Sequence, residues 1–332
     1  MLIVSRRQVD CRGLEPGYVS GWTTEGLADE LLSVNGPVLL CRDHGGPWQG
    51  NAEASVELEE ALARASMSIR ADIDAGFDLI HIDTSREARG AAAFDDALDR
   101  LEALYREAVD YADRVGREVC FEVGFEEQST SVTDALTNEN ILERMLDRLG
   151  GLPKPTYFVL QTGTLVRGGR NVGDLTSEER HAATVESIRA SVDSVRSAGL
   201  HVKAHNADYL DFDAIASLAS AGVHALNIAP ELGTTQTRVI MDTAMAVAGR
   251  STLREFQDIA YESDRWRGWT DDPSVSRRVA AQLAGHYIMS DPRVRRMISI
   301  LDLALQPSGE SLDSRVDDAL REVVDRYLEA AR

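Results

Sequence analysis

Lysine is nearly missing from this chain: among 332 residues it occurs only at Lys154 and Lys203. Schiff-base chemistry therefore has two candidate nucleophiles, and only Lys203 falls at the end of an apolar run. Basic residues are scarce as a class, with 35 Lys and Arg against 55 Asp and Glu and a formal net charge of −20. That balance excludes the basic face on which a nucleic acid or an anionic membrane would sit. Cysteine is limited to Cys11, Cys41 and Cys120, without C-x-x-C spacing. Neither a zinc ribbon nor a disulfide framework follows from them, and a reducing cytoplasm is the simplest setting. No apolar run reaches the roughly 18 residues of a membrane span. The opening Met1-Leu-Ile-Val-Ser-Arg-Arg lacks the basic, apolar and small-residue order of a signal peptide. No G-x-G-x-x-G follows the first apolar run, so an open dinucleotide-binding sheet has no support.

What the chain does have is a repeated unit. Residues Val38 to Asp43 form an apolar run too short for a helix, and it delivers Asp43-His44 to a Gly-Gly-Pro turn. A buried parallel strand presents polar groups at its carboxyl end in this way. Residues 52–75 then show helical spacing with a Gly76 stop, and Asp78-Leu-Ile-His-Ile-Asp83 is the next short run. A second helix, over residues 92–115, stops at Gly116 and feeds a run through Glu122. Thr156 to Gln161, Leu200 to His205 and Val223 to Asn227 continue the pattern. Such alternation, with no linker through residue 250, predicts βα units around a parallel sheet.

Polar residues close these runs at Asp43, Asp83, Glu122, Gln161, His205 and Asn227. The first four are about 40 residues apart, the length of one βα unit with its loops. A closed barrel would bring all six to one rim. The sequence therefore predicts an α/β fold, a TIM (β/α)8-type barrel over residues 1–250, with residues 251–332 as a C-terminal helical extension packed on it. An Asp-His pair at a strand end offers a proton-transfer carboxylate and an imidazole metal ligand from one rigid backbone. Taken alone, a capping Asp beside a core His explains it as well. His81, two residues before Asp83, shares its strand face and reads as a supporting partner.

In order along the chain, these residues resemble a known family. Asp43-His-Gly-Gly-Pro, Ala75 to Ser85, Glu122-Val, Val159-Leu-Gln-Thr-Gly163, Ala204-His-Asn-Ala-Asp-Tyr209 and Asn227-Ile-Ala-Pro carry the likeness. They are similar to the non-catalytic subunit of class II D-tagatose-1,6-bisphosphate aldolase, which is in turn similar to the metal-dependent class II fructose-bisphosphate aldolases. The match spans most of residues 1–250. It implies a barrel with a divalent metal, expected to be Zn2+, at the rim. Asp43 matches the carboxylate that moves the proton, and Asp83 is taken with it as a catalytic carboxylate. His44 and His205 match metal-binding imidazoles, Glu122 an acidic residue at the metal with a catalytic part, and Asn227 a substrate contact. Leu2 to Val4 matches the family's second strand, so the first βα unit is expected to be missing. Either the start is misassigned, or another segment or subunit covers an open edge.

Two departures shape the functional expectation. Gln161 stands where the class II aldolases carry a third histidine, and its amide is a poorer zinc ligand. The loop after His205 carries Asp208 in place of a phosphate cradle, and a carboxylate there repels phosphate. Substrate contacts are expected from Arg167 and Arg170 in the Gly-rich loop and from Thr234 and Thr235 after Gly233, with Asn227 and Asp208 beside them. The leading reading is a divalent-metal-dependent, aldolase-type lyase acting on a ketose or ketose phosphate through an enediolate. Two alternatives stay open: a non-catalytic subunit that stabilises a separate aldolase, and a metal-dependent sugar epimerase or isomerase. A partner aldolase subunit or a homo-oligomer is the expected assembly.

Overall fold

The computed structural model describes all residues except Ser20, Asn35, Pro37 and 126–128, and the side chain of Leu32. Its elements run β1 (Leu2–Ser5), α1 (Thr24–Leu32), β2 (Leu40–Asp43), α2 (Leu58–Ala75), β3 (Leu79–Ile82), α3 (Phe94–Val115), β4 (Cys120–Gly124), α4 (Ala135–Arg148) and β5 (Tyr157–Leu160). A hairpin follows, β6 (Val166–Arg167) and β7 (Arg170–Asn171), then α5 (His181–Ser197), β8 (His201–Ala204), α6 (Phe212–Ser220) and β9 (Ala225–Leu226). The chain ends in α7 (Pro230–Thr243), α8 (Arg250–Glu262), α9 (Arg277–Ala284), α10 (Pro292–Leu305) and α11 (Leu312–Ala330). No helix among the described residues is long and apolar enough to cross a membrane.

The sheet runs β1-β2-β3-β4-β5-β8-β9, and each ladder from β1 through β8 is parallel. Strands so short are built from residues that tolerate burial on both faces, such as Leu79, Ile80 and Ile82, all buried. The expected βα units are present, and the barrel expectation is met in part. The sheet has seven strands rather than eight, and β1 and β9 are its edges among the described residues.

The chain divides into two compact units. One comprises residues 1–162, 186–205 and 222–225; the other comprises 163–185, 206–221 and 226–332. In the first unit, Ala61, Ala65, Ile69 and Ile73 recur every fourth residue and give α2 a buried stripe. Gly76 ends that helix at φ +89, a left-handed conformation in which its N–H reaches the carbonyls of Asp72 and Ile73. Gly116 stops α3 in the same manner at φ +70. Truncating Ile73 to Ala in this core would cost about 2–5 kcal/mol.

The second unit has a core of its own. Ile240, Met241, Phe256, Ile259, Leu301, Leu305 and Leu312 form one cluster from α7, α8, α10 and α11. Trp266 is buried against Ala280, Leu283 and Ala284 in another. The hairpin turns at Gly168 and Gly169, with φ +59 and +74, as a two-residue turn matched to strand twist requires. Asn171 anchors it: its amide donates to the carbonyls of Asn206 and Asp208 at 2.9 and 3.0 Å. The Gly-rich loop is therefore structured, and α7 starts at Pro230, before the Gly233-Thr-Thr235 segment rather than at it.

Candidate metal centre

Three adjacent strands set the first row of the site, β2 with its last residue and β3 and β4 each with its third. Arg42 is in register with Ile80, so Asp43 follows beside His81, and His81 is in register with Glu122. Their side chains share one sheet face by the alternation of strands. His205 follows β8 and lies two residues beyond Lys203, which places that pair on a common face as well. All of these residues belong to the first unit.

Four donor atoms converge there. His81 Nδ1 lies 3.4 Å from Asp43 Oδ1 and 3.7 Å from Glu122 Oε1. His205 Nε2 lies 2.8 Å from Glu122 Oε1 and 3.9 Å from Asp43 Oδ1. Donor atoms of Asp43, His81, Glu122 and His205 all fall within 4.8 Å of one another. A tetrahedral ion with bonds near 2.0–2.1 Å needs donor separations of about 3.3 Å, so modest adjustment closes this set on a cation. The three imidazoles form a near-equilateral triangle, with ring centroids 5.6 Å (His44–His81), 5.5 Å (His44–His205) and 5.2 Å (His81–His205) apart. His81 Nε2 is a buried nitrogen with no hydrogen-bond partner among the described residues.

His44 is held by Asp83. Its Nδ1 donates to Asp83 Oδ2 at 2.6 Å, and its Nε2 lies 3.7 Å from Asp43 Oδ2. This is the carboxylate–histidine pairing that fixes a ligand imidazole and leaves its other nitrogen for a metal. Asp83 is saturated: Oδ2 also accepts from Gln49 Nε2 at 2.7 Å, while Oδ1 accepts from the N–H and hydroxyl of Ser85. Both oxygens of Asp83 are thus engaged, and its contact with the donor set runs through His44. His44 itself sits at φ +47, a conformation uncommon for residues other than glycine. The next two positions must be glycine for steric reasons. A Cβ on Gly45 would meet the His81 carbonyl at 2.6 Å, and one on Gly46 would meet the Asp83 carbonyl at 1.4 Å. Buried Arg6 fixes the turn from the other side, donating to the Gly46 carbonyl at 2.8 Å and pairing with Glu53 and Asp10.

The electrostatics favour a cation. Burial works against charge on Asp43, yet the fields of His44 and His205 and the His81 hydrogen bond hold its carboxyl well below the usual range. Glu122 is pushed down to about 2, burial being outweighed by His81, His205 and Lys203. Asp83 is lowered likewise by its bond to His44. His44 is raised to about 9 despite burial, because Asp43 and Asp83 stabilise its charged form. Three ionised carboxylates around three imidazoles form a donor set that suits zinc and similar divalent ions.

Among the sequence-predicted residues, the structure brings together Asp43, His44, Asp83, Glu122 and His205. Gln161 is buried just past the end of β5, and the four-donor set forms without it. Two residues that the sequence marks only as a supporting partner and a candidate nucleophile stand inside the site. His81 is 1% exposed and belongs to both donor groups, the four-residue set and the set with His44 and Asp83. Lys203 is fully buried, with Nζ 2.5 Å from Glu122 Oε2. The signal available for both was a polar residue two positions before a polar strand end.

The remaining candidates lie in the second unit. Asp208 Oδ1 accepts the N–H groups of Ala229 and Glu231 at 2.8 and 2.9 Å and so occupies the anion position at the start of α7. Burial raises its carboxyl to about 7. Thr234 bonds the Tyr209 hydroxyl and the Glu231 carbonyl, and Thr235 is buried within α7. Arg167 and Arg170 flank the hairpin tip. The Asn227 side-chain Nδ2 is buried without a partner among the described residues.

No protein-family model and no curated protein matches the chain. Among solved structures, a probable tagatose 6 phosphate kinase from Sinorhizobium meliloti 1021 aligns over 99% of this chain and 92% of its own, at 19% identity and a TM-score of 0.77. The fructuronate-tagaturonate epimerase UxaE from Cohnella laeviribosi, complexed with glycerol, aligns over 88% of this chain and 68% of its own, at 13% identity and a TM-score of 0.52. At such identities the likeness is one of fold, and it extends over nearly the whole chain.

Proposed function

We propose that the chain is a divalent-metal-dependent enzyme of the class II aldolase type that makes or breaks a carbon–carbon bond of a ketose or ketose phosphate through an enediolate. The observation that carries this reading is the convergence of Asp43, His81, Glu122 and His205 donor atoms within 4.8 Å. When bound, a divalent cation, zinc by preference for so many imidazoles, supplies Lewis acidity toward a substrate carbonyl and charge that stabilises an enediolate. His81, His205 and Glu122 would hold it, with His44 offering Nε2 while Asp83 keeps Nδ1. Asp43 is the most exposed of the four donors, at 20% against 0–4% for the others. It is the carboxylate that faces incoming substrate and moves the proton. Gln161 would stand beside this set. Asn227, Asp208, Arg167, Arg170, Thr234 and Thr235 are the candidates for substrate contacts, and residues 251–332 for a helical extension of the barrel domain.

The name of the Sinorhizobium protein refers to a phosphorylated ketose, which supports the substrate class. The test is metal analysis of the purified chain followed by a retro-aldol screen over keto-sugar phosphates and free keto-sugars. Turnover that needs the metal and is lost in Asp43→Asn supports the proposal. Metal retention without turnover points to a stabilising subunit instead.

A second reading, a metal-dependent sugar epimerase, is favoured by the fold shared with the Cohnella epimerase. The same base and cation would serve, since both reactions pass through an enolate. Proton exchange at a single carbon without cleavage, followed by NMR in deuterium oxide, separates the two.

A further inference from the structure

Glu122 has two oxygens, and the structure divides them. Oε1 faces His205 Nε2 at 2.8 Å and His81 Nδ1 at 3.7 Å, among the converging donors. Oε2 is taken by Lys203 Nζ at 2.5 Å. The ammonium is fully buried and stands near the Tyr157 ring, 5.9 Å from its centroid. Side-chain exposures of 1% and 0% leave no water to screen this pair. Lys203 is one of only two lysines in the chain.

We infer that Lys203 is a positioning residue that restricts Glu122 to a single-oxygen contact with a bound cation and makes the loaded centre selective for an anionic oxygen ligand. The inference rests on the metal-dependent reading above. The physical argument has two parts. A carboxylate with both oxygens free chelates a cation through both, whereas a charge-assisted bond to Oε2 leaves only Oε1 and keeps a coordination position open. The charge count then admits an anion. A divalent cation with Asp43, Asp83 and Glu122 ionised and the imidazoles neutral would leave the centre at a net charge of −1, and the ammonium brings it to zero, so that an incoming anion meets no net repulsion. In a site this dry, that unit of charge discriminates an enediolate, carboxylate or similar oxyanion from a neutral polyol.

Two opposing effects on the cation and on the anion give the test. Lysine repels a cation and organises its ligand, so a purely structural lysine and a charge-setting one predict opposite signs. Lys203→Met in the full chain, stripped of metal and titrated with Co2+, is expected to bind the ion roughly tenfold more tightly than wild type, because a nearby positive charge is gone and Glu122 is free to chelate. Its visible absorption should weaken as the coordination number rises. With Co2+ bound, glycolate should lose its advantage over ethylene glycol. The metal-free variant should melt lower, since Glu122 is left buried without its cation, and saturating Co2+ should restore the melting temperature. Should Lys203→Met not fold, Lys203→Gln, which keeps a hydrogen bond to Oε2 but no charge, must still show tighter Co2+ binding. Unchanged or weaker Co2+ binding in a folded variant overturns the inference alone. Absence of stoichiometric Co2+ binding by the wild-type chain overturns the metal-dependent reading and this inference with it.

Discussion

His44 Nδ1 lies 2.6 Å from Asp83 Oδ2, and that bond decides which nitrogen of His44 faces the other donors. The left-handed backbone at His44 directs the ring, and Asp83 holds it there. Asp83→Asn preserves the shape but lets the amide present either an acceptor or a donor to the ring. The expected result is a 10–100-fold loss of zinc affinity, roughly the effect of removing a carboxylate behind a ligand histidine. Isothermal titration measures it, and the His44 ring should titrate at lower pH by NMR. An unchanged zinc affinity would falsify the orienting role of Asp83.

The raised pKa of His44 gives metal-free protein and metal binding opposite pH dependences. Its folded value of about 9 lies above the ordinary 6.5. The stability it contributes is fully present below pH 6.5 and is lost as pH rises through about 9. Asp43, Asp83 and Glu122 are depressed, so their contributions stay intact across that window and fail only in acid. A cation must displace the His44 proton, so zinc affinity should climb by up to about tenfold per pH unit over the same range. Melting curves with and without zinc, from pH 6 to 9.5, should diverge progressively. In His44→Gln the divergence should flatten.

Gly46 is the steric hinge of the same loop. A Cβ there would fall 1.4 Å from the Asp83 carbonyl oxygen, with backbone on both sides. No rotamer relieves such an overlap, and Gly46→Ala should cost upward of about 3 kcal/mol or abolish folding. Gly268→Ala is the control, because an added Cβ there meets nothing within 4 Å. Urea denaturation compares them, and similar midpoints for the two variants would contradict the argument.

In the second unit, Tyr327 ties the last helix to the loop that follows β8. Its hydroxyl donates to the Ala207 carbonyl at 2.7 Å, with Glu231 Oε2 at 2.8 Å. Tyr327→Phe leaves both acceptors buried and should destabilise the chain by about 1–3 kcal/mol. Glu231 keeps Tyr209 N–H and Arg326 as partners, so the loss should remain at the lower end. Hydrogen exchange at Ala207 through Tyr209 should rise in parallel.

Much of the fold was legible because βα units punctuate themselves. Gly76 and Gly116 end helices where the sequence places them, and Asp43 and His205 stand where apolar runs give out, whereas Glu122, expected at a strand end, lies in the middle of β4 with Val123 and Gly124 still in the sheet. The interior of those runs was harder to read. His81 and Lys203 are embedded in apolar runs, and their one local signal, a polar residue two positions before another at the end of the run, does not tell a core polar residue from a ligand or its clamp. Only the register of β3 with β4, a long-range property, puts His81 beside Glu122. The polar network of Arg6, Asp10 and Glu53 behind the Gly-Gly turn is hidden for the same reason, since its members are up to 47 residues apart. The hairpin of Arg167 and Arg170 has no sequence signature, because two-residue strands carry no periodicity.

The sequence presents Gln161 at the position of a missing third histidine, whereas the structure supplies a third imidazole from His81. These assignments predict different mutational outcomes. If His81 completes the donor set, His81→Ala should lower zinc affinity by about two orders of magnitude or more, because it removes a ligand atom and opens a polar void beside Asp43 and Glu122. Gln161→Ala should retain the ion within a few fold, its effect confined to the end of β5. The comparison is made on metal-stripped full-length protein by competition against a chromophoric chelator, with circular dichroism confirming that both variants are folded. Equal losses would return Gln161 to the ligand set. Loss in Gln161→Ala with retention in His81→Ala would reverse the assignment of the third ligand altogether.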